Sequence, residues 1–222
     1  MRRFIEILML FIWILGAGAL SAAEHSDAAN LDKILKGLEA RYSGEGFSVA
    51  FFQESMLKAM QISDTAEGRL TVKKPNKMRW EYILPDPQTI ITDGKSMWIH
   101  RPADNQVMVG QAPAFFGDGK GAGFLSDIRQ VRKSFRVETL PKKDERHYRL
   151  KLTPKRPTPD IAEIFLWVAK ASFQVDQVVT LNNYGDETKI SLNNYKFNLN
   201  PKESLFSFVI PEGADVVELN QP

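Results

Sequence analysis

Cysteine is absent from the 222 residues, and histidine occurs only three times. Without a thiol there is no disulfide, no thiolate nucleophile and no residue to carry a lipid after a signal sequence. His25 lies in a polar N-terminal tail, while His100 and His147 sit in strand-like segments with no carboxylate at motif spacing. HExxH, GxSxG and metal-ligand spacings are missing, and the scattered carboxylates nominate no acid–base pair. The glycine run Gly117 to Gly123 is no phosphate cradle, because Gly121 rather than Ser or Thr follows Lys120. The chain therefore reads as a non-enzyme needing neither metal nor cofactor. An excess of charge is missing too: Lys+Arg number 29 against Asp+Glu 27. That balance gives no reason to expect nucleic acid or a strongly anionic surface as partner.

One long apolar run is present, at the start. Met1-Arg2-Arg3 is basic, Ile7 to Leu20 is uncharged, and Ser21-Ala22-Ala23 offers the small residues a signal peptidase reads. Residues 1–23 are expected to be a cleaved signal peptide and residues 24–222 a single domain, exported to the periplasm as a soluble monomer. A retained anchor is the rival reading, but a spanning helix needs about 20 apolar residues and two glycines interrupt the end of this run.

The mature chain opens with one helical stripe. Leu31, Ile34, Leu35, Leu38 and Tyr42 share a face, with Asn30 placed to cap the start and Gly44 or Gly46 to end it. From Phe47 the period changes to two. Alternation runs through Phe47–Phe51, Leu70–Val72, Met78–Tyr82, Met97–Ile99, Val107–Val109, Phe135–Val137, Tyr148–Leu152, Ile164–Val168, Val175, Ile190–Leu192, Tyr195–Phe197 and Phe206–Phe208. Turn signals separate the runs, Asp93-Gly94 being the sharpest and read as a two-residue hairpin loop. About eleven successive strands without interleaved helices imply a mainly β fold, one large antiparallel sheet. A sheet that wide curls to reduce its edges, leaving a concave apolar face that something must fill.

The pattern fails once, between Gly110 and Phe135. Phe115 and Phe116 precede the glycine run, then Leu125, Ile128 and Val131 share one face of a short helical pattern with Ser126 as a possible cap. An apolar insertion hinged on glycines reads as a lid over the sheet; a disordered surface loop is the bland alternative. By parity, Phe47, Phe51, Leu70, Met78 and Trp80 point to the inner face. They line a cavity or form ordinary core, and in such a fold the two overlap.

The stretch Phe47-Ser48-Val49-Ala50-Phe51-Phe52-Gln53, followed by Glu67-Gly68-Arg69-Leu70-Thr71-Val72-Lys73-Lys74-Pro75-Asn76-Lys77-Met78-Arg79-Trp80-Glu81-Tyr82, resembles the outer-membrane lipoprotein carrier family, LolA. Pro85, Gln88, Ile91 to Lys95, Trp98, Asn105-Gln106 and the ending Phe206 to Val217 follow in matching order. The resemblance implies an incomplete antiparallel barrel with a helical lid over a hydrophobic cavity. It also implies a periplasmic chaperone that accepts the acyl chains of lipoproteins from an inner-membrane ABC transporter and passes them to an outer-membrane receptor. Many members carry an arginine before the proline of the Lys-Lys-Pro-Asn stretch, which bonds the lid backbone; here that place is Lys74. The resemblance makes Lys74 a softer latch, unless it is merely a solvated strand end. A lipid-sensing regulatory domain of similar shape is the alternative function. An integral outer-membrane barrel fits poorly with Lys73-Lys74, Lys142-Lys143 and the N-terminal helix.

Intact-mass analysis of the protein purified from periplasm is expected to give a chain beginning near Glu24 with no lipid attached. Retention of residues 1–23 would overturn the signal-peptide reading.

Overall fold

The computed structural model describes residues 30–113, 117–141 and 145–219, with side chains described for all of these except 117–121. The expected signal segment, Phe115 and Phe116 lie outside the described residues. Among those residues no helix is long and apolar enough to cross a membrane.

Helix α1 (residues 30–41) comes first. Then follow β1 (Gly46–Leu57), β2 (Ile62–Lys73), β3 (Lys77–Leu84), β4 (Gln88–Thr92), β5 (Ser96–Arg101) and β6 (Gln106–Gln111). A 3-10 segment, Gly117–Ser126, and a short helix α2 (Gln130–Ser134) interrupt the strands. After them come β7 (Phe135–Thr139), β8 (His147–Pro154), β9 (Glu163–Ala169), β10 (Val175–Leu181), β11 (Glu187–Leu199) and β12 (Asp215–Glu218). All twelve strands form one open sheet in the order β12-β6-β5-β4-β3-β2-β1-β11-β10-β9-β8-β7. The first and last halves of the chain thus meet along β1 and β11, and the two edges are β12 and β7.

Three expectations need correction. Phe206–Phe208 is not a strand: a 3-10 turn, Glu203–Phe206, carries the chain across the outer face instead. There Phe206 is buried and Phe208 packs on Trp98 and His100. The last strand is β12, and it runs parallel to β6, so the sheet is antiparallel only up to that edge. The Asp93-Gly94 loop has three residues, because Thr92 pairs with Met97 and Asp93 to Lys95 lie outside both strands. The Asp93 carboxylate holds it by accepting from the Lys95 and Ser96 amides.

Curling has an identifiable cause at the centre. Gly46, Ser48 and Ala50 of β1 face Leu199, Lys196 and Asn193 of β11, so β11 carries an extra residue in each interval. Asn194 and Asn198 take up the excess at φ 55° and 56°, a left-handed conformation asparagine tolerates better than most residues. Bulges of this kind bend the strand and sharpen its twist. The bent stretch presents Tyr195 and Phe197 as a stacked pair, centroids 4.8 Å apart.

That pair receives α1. Tyr42, following the helix, is buried among Phe47, Tyr195 and Phe197. Its hydroxyl accepts from the Val175 amide (3.0 Å) and donates to the Tyr195 hydroxyl (3.0 Å), which donates to the Val175 carbonyl (2.7 Å). Val175 offers both groups because the β9–β10 register breaks beside it. Arg41 lies 3.7 Å over the Phe197 ring, and the Phe173 ring fits against Gly37, where any Cβ would collide with it.

Burial pushes the Tyr42 phenol up to about 12, and it does the same for Tyr82. An acid whose folded value is raised contributes stability that is present below its unfolded value, near 10, and lost as pH rises through 12. Each of these two phenols then withdraws on the order of 2–3 kcal/mol. Chemical denaturation at pH 8 and pH 11 is expected to show a marked alkaline loss. Tyr42→Phe should lower stability by about 1–2 kcal/mol at pH 8 and flatten that loss. An unchanged alkaline slope would show that other groups govern it.

Candidate functional site

The inner face of the sheet carries the five residues expected on it. Phe47, Phe51, Leu70, Met78 and Trp80 are each 3% exposed or less and share one apolar cluster. Pairing explains why. Phe47 faces Val72 and Phe51 faces Gly68 across β1–β2, while Leu70 faces Trp80 and Val72 faces Met78 across β2–β3. Gly68 leaves its place bare, and the Phe51 ring occupies it, edge-on to Trp80 at 5.1 Å and to Tyr82 at 5.0 Å. Leu192, Ile190, Val178, Leu166, Ile164, Leu150 and Leu152 continue the face to the other arm of the sheet.

Two segments cover this face. From α1 come Ile34, Leu35 and Leu38; from the insertion between β6 and β7 come Phe124, Leu125, Ile128 and Val131. The expected cavity lining and the expected lid residues Leu125, Ile128 and Val131 therefore meet in one packed cluster. The helical part of the insertion is shorter than the pattern suggests: Ser126 donates to the Gly123 carbonyl at 2.7 Å instead of capping, and α2 begins only at Gln130. Asp127 accepts from the Arg129 amide and guanidinium.

Away from α1 the same face turns polar. Tyr82 donates to Gln53 Oε1 at 3.1 Å, and Gln53 Nε2 donates to Ser55 Oγ at 3.1 Å. Between this ladder and the apolar cluster lies the Trp80 indole, whose buried N–H has no hydrogen-bond partner among the described residues. A donor left so costs roughly 1–3 kcal/mol.

A model of the family described as outer membrane lipoprotein carrier protein LolA matches residues 43–209. The chain belongs to this lipoprotein carrier family. An outer-membrane lipoprotein carrier protein of Hahella chejuensis is 27% identical over 213 residues, covering 94% of this chain and 98% of that one. A protein of the same description from Chromobacterium violaceum is 27% identical over 209 residues, covering 94% and 96%. Among solved structures, an uncharacterized conserved protein from Thermus thermophilus superposes with a TM-score of 0.54 at 16% identity, covering 85% of this chain and 99% of that one. That likeness concerns the fold.

Lys74 stands where the resemblance places an arginine that bonds the lid backbone. The Lys74 ammonium donates to the Tyr42 carbonyl at the end of α1. Burial lowers its pKa from the ordinary lysine value, while Asp127 and Arg129 of the insertion act on it electrostatically in opposite directions. Lys74 thus ties the β2 end to α1 with the insertion's charges nearby.

A direct bond from insertion to α1 is made by Arg132, which the sequence reading passed over. Its Nε donates to Glu39 Oε1 at 2.7 Å, and its Nη2 donates to Asp32 Oδ1 at 2.9 Å and to the Asp32 carbonyl at 3.3 Å. Asp32 also pairs with Lys36 at 2.8 Å. Asp32 and Glu39 lie seven residues apart, so they rise from the same helix face, a spacing that was legible; that Arg132 would meet them was not. His147 also gains a partner hidden by sequence distance, Asp176 at 3.0 Å. Among the described residues no group of three or more His, Asp or Glu is placed to hold a metal ion.

Partly exposed ion pairs of this kind are weak and screened by salt. Arg132→Ala is expected to speed amide exchange across Ile128–Ser134 by roughly two- to tenfold, and high salt should do the same to the unaltered protein. Exchange rates indifferent to both would show that apolar packing alone holds the segment.

Proposed function

We propose that the protein is a periplasmic carrier that takes up the acyl chains of lipoproteins released at the inner membrane and delivers them toward the outer membrane. The observation that carries this reading is the composition of the core. An extended apolar sheet face is covered by two small segments, one of them fastened by a half-exposed arginine, and displacing that segment exposes a surface suited to hydrocarbon. Membership of the carrier family and the near full-length match to carrier proteins support it. Phe47, Phe51, Leu70, Met78 and Trp80 would line the opened site. Phe115, Phe116, Leu125, Ile128 and Val131 would belong to the lid, and Lys74 would bias the lid from its position between α1 and Asp127. The partners implied are a lipoprotein-releasing ABC transporter and an outer-membrane receptor; no catalysis is involved.

Energetics sets the requirement. Burying one methylene gains about 0.8 kcal/mol, so a chain of some 15 methylenes in water is unfavourable by about 12 kcal/mol. A carrier must cover much of that length and yet release it, which needs a cover whose open and closed positions differ by only a few kcal/mol. Much of what the chain gains on entering is offset by prying α1 and lid side chains from the same face.

Protein purified from periplasm is expected to bring with it acylated protein detectable by mass spectrometry, and the stripped protein to bind a fluorescent palmitoyl probe with one site. Lys74→Leu should speed probe entry and Lys74→Arg slow it. Identical kinetics across the three would confine Lys74 to holding α1. Absence of both acylated cargo and probe binding would sink the carrier reading.

A further inference from the structure

The inner face is not uniform along the strands, and its change of character falls at one residue. Toward α1 the lining is hydrocarbon and aromatic ring: Phe47, Val72, Met78, Leu70, Phe51. Further along β1 and β3 the same face carries Gln53 and Tyr82 one pleat on, then Ser55 two pleats on. At the boundary, Trp80 is 3% exposed and its indole N–H is buried without a partner among the described residues. Buried donors in a folded chain are nearly always matched, so an unmatched one beside a polar ladder marks a place for an acceptor that the chain itself does not supply. The ladder also has unused capacity. Gln53 spends its carbonyl oxygen on Tyr82 and one amide hydrogen on Ser55, which leaves a second amide hydrogen and the Ser55 hydroxyl hydrogen free to donate.

Donors in that row, continuous with a hydrocarbon surface, match a molecule with the inverse order: a long alkyl chain ending in carbonyl oxygens. We propose that Trp80, Gln53 and Ser55, with Tyr82 holding the Gln53 amide in place, form a subsite for the ester or amide carbonyls of acylated cargo. The chains then run from it beneath α1 and the lid, and the polar remainder of the cargo leaves past Ser55. This rests on the acyl-carrier reading and adds to it a direction of insertion and a preference for acyl over alkyl groups. Trp80 is a specificity residue through its N–H, over and above the surface its ring provides.

Two lipids that differ only in the carbonyl test this. The probes are 1-palmitoyl lysophosphatidylcholine and its 1-O-hexadecyl ether analogue, measured below their micelle concentrations against the full mature protein. The ester is expected to bind roughly three- to tenfold more tightly than the ether, as one additional neutral hydrogen bond allows. Trp80→Phe, which keeps an aromatic ring and removes the N–H, should bring the ratio to about one through loss of ester affinity. Gln53→Leu should narrow it. In the unaltered protein the indole N–H resonance of Trp80 should move downfield with the ester and not with the ether, a signal that a merely structural tryptophan would not give. If the Trp80 variant proves unstable, the resonance shift and the Gln53 variant decide. Equal affinities for ester and ether, or a preference that survives Trp80→Phe, would overturn the subsite and leave the carrier reading standing. Failure of both lipids to bind would overturn the subsite, and, with no acylated cargo on the protein from periplasm and no palmitoyl-probe binding, the carrier reading with it.

Discussion

An antiparallel sheet that curls without closing has one apolar face and no second sheet to bury it against. Everything else in this chain answers that constraint. The concave face gathers side chains from β1 to β3 and from β7 to β11, and such an area of hydrocarbon cannot stay in water. The chain covers it with one N-terminal helix and one insertion of about twenty residues. Neither segment has a core of its own, so both are held by what they place on the sheet and by the Arg132 bonds between them.

They are held in different ways. The end of α1 is anchored by a buried aromatic cluster and a closed circuit of three hydrogen bonds among Tyr42, Tyr195 and the Val175 backbone. These bonds lie in low dielectric, where salt does not screen them and where breaking one leaves a buried polar group unmatched. The insertion has four large apolar contacts, a guanidinium pair at its surface and a glycine-rich approach. Local opening follows the weaker set. The two covers are therefore held unequally, and the segment from Gly117 to Ser134 is expected to open more readily than α1.

How much of this could be read from the residues depends on the range of the interaction involved. Period two along each strand and the stripe Leu31, Ile34, Leu35, Leu38, Tyr42 are local signals, and they located α1, the strands and the inward parity of Phe51 and Trp80. Curling was inferred from strand count alone. Its physical device, the paired asparagines of β11, stood in the sequence as Asn193-Asn194 and Asn198 but needed the β1 register to acquire meaning. Val216-Val217 made β12 where the stronger alternation at Phe206 to Phe208 did not. Phe208 packs on Trp98 and His100 at the outer face and Phe206 is buried, a tertiary demand that overrides local β pattern. Arg132 and its two carboxylates lie 93 and 100 residues apart, beyond any motif. Lys74 was singled out only through the resemblance, and its bond to the Tyr42 carbonyl needed the packing of α1 beside the β2 end to be seen.

On the carrier reading, the same face that must be covered for stability would be uncovered for binding, so core and proposed site coincide in this chain. A side chain such as Leu70 stabilises the closed form through α1 and the lid, and it would stabilise a loaded form through the acyl chain. Its contribution to binding is the difference between those contacts, not their sum. Residues that gain nothing in the closed form are where a ligand adds most. Trp80 has such a group in its indole N–H, buried and without a partner among the described residues. On the carrier reading, the hydrocarbon contacts would make exchange of lid for acyl chain nearly balanced, and the few polar groups at the end of the hydrocarbon surface would decide between chains.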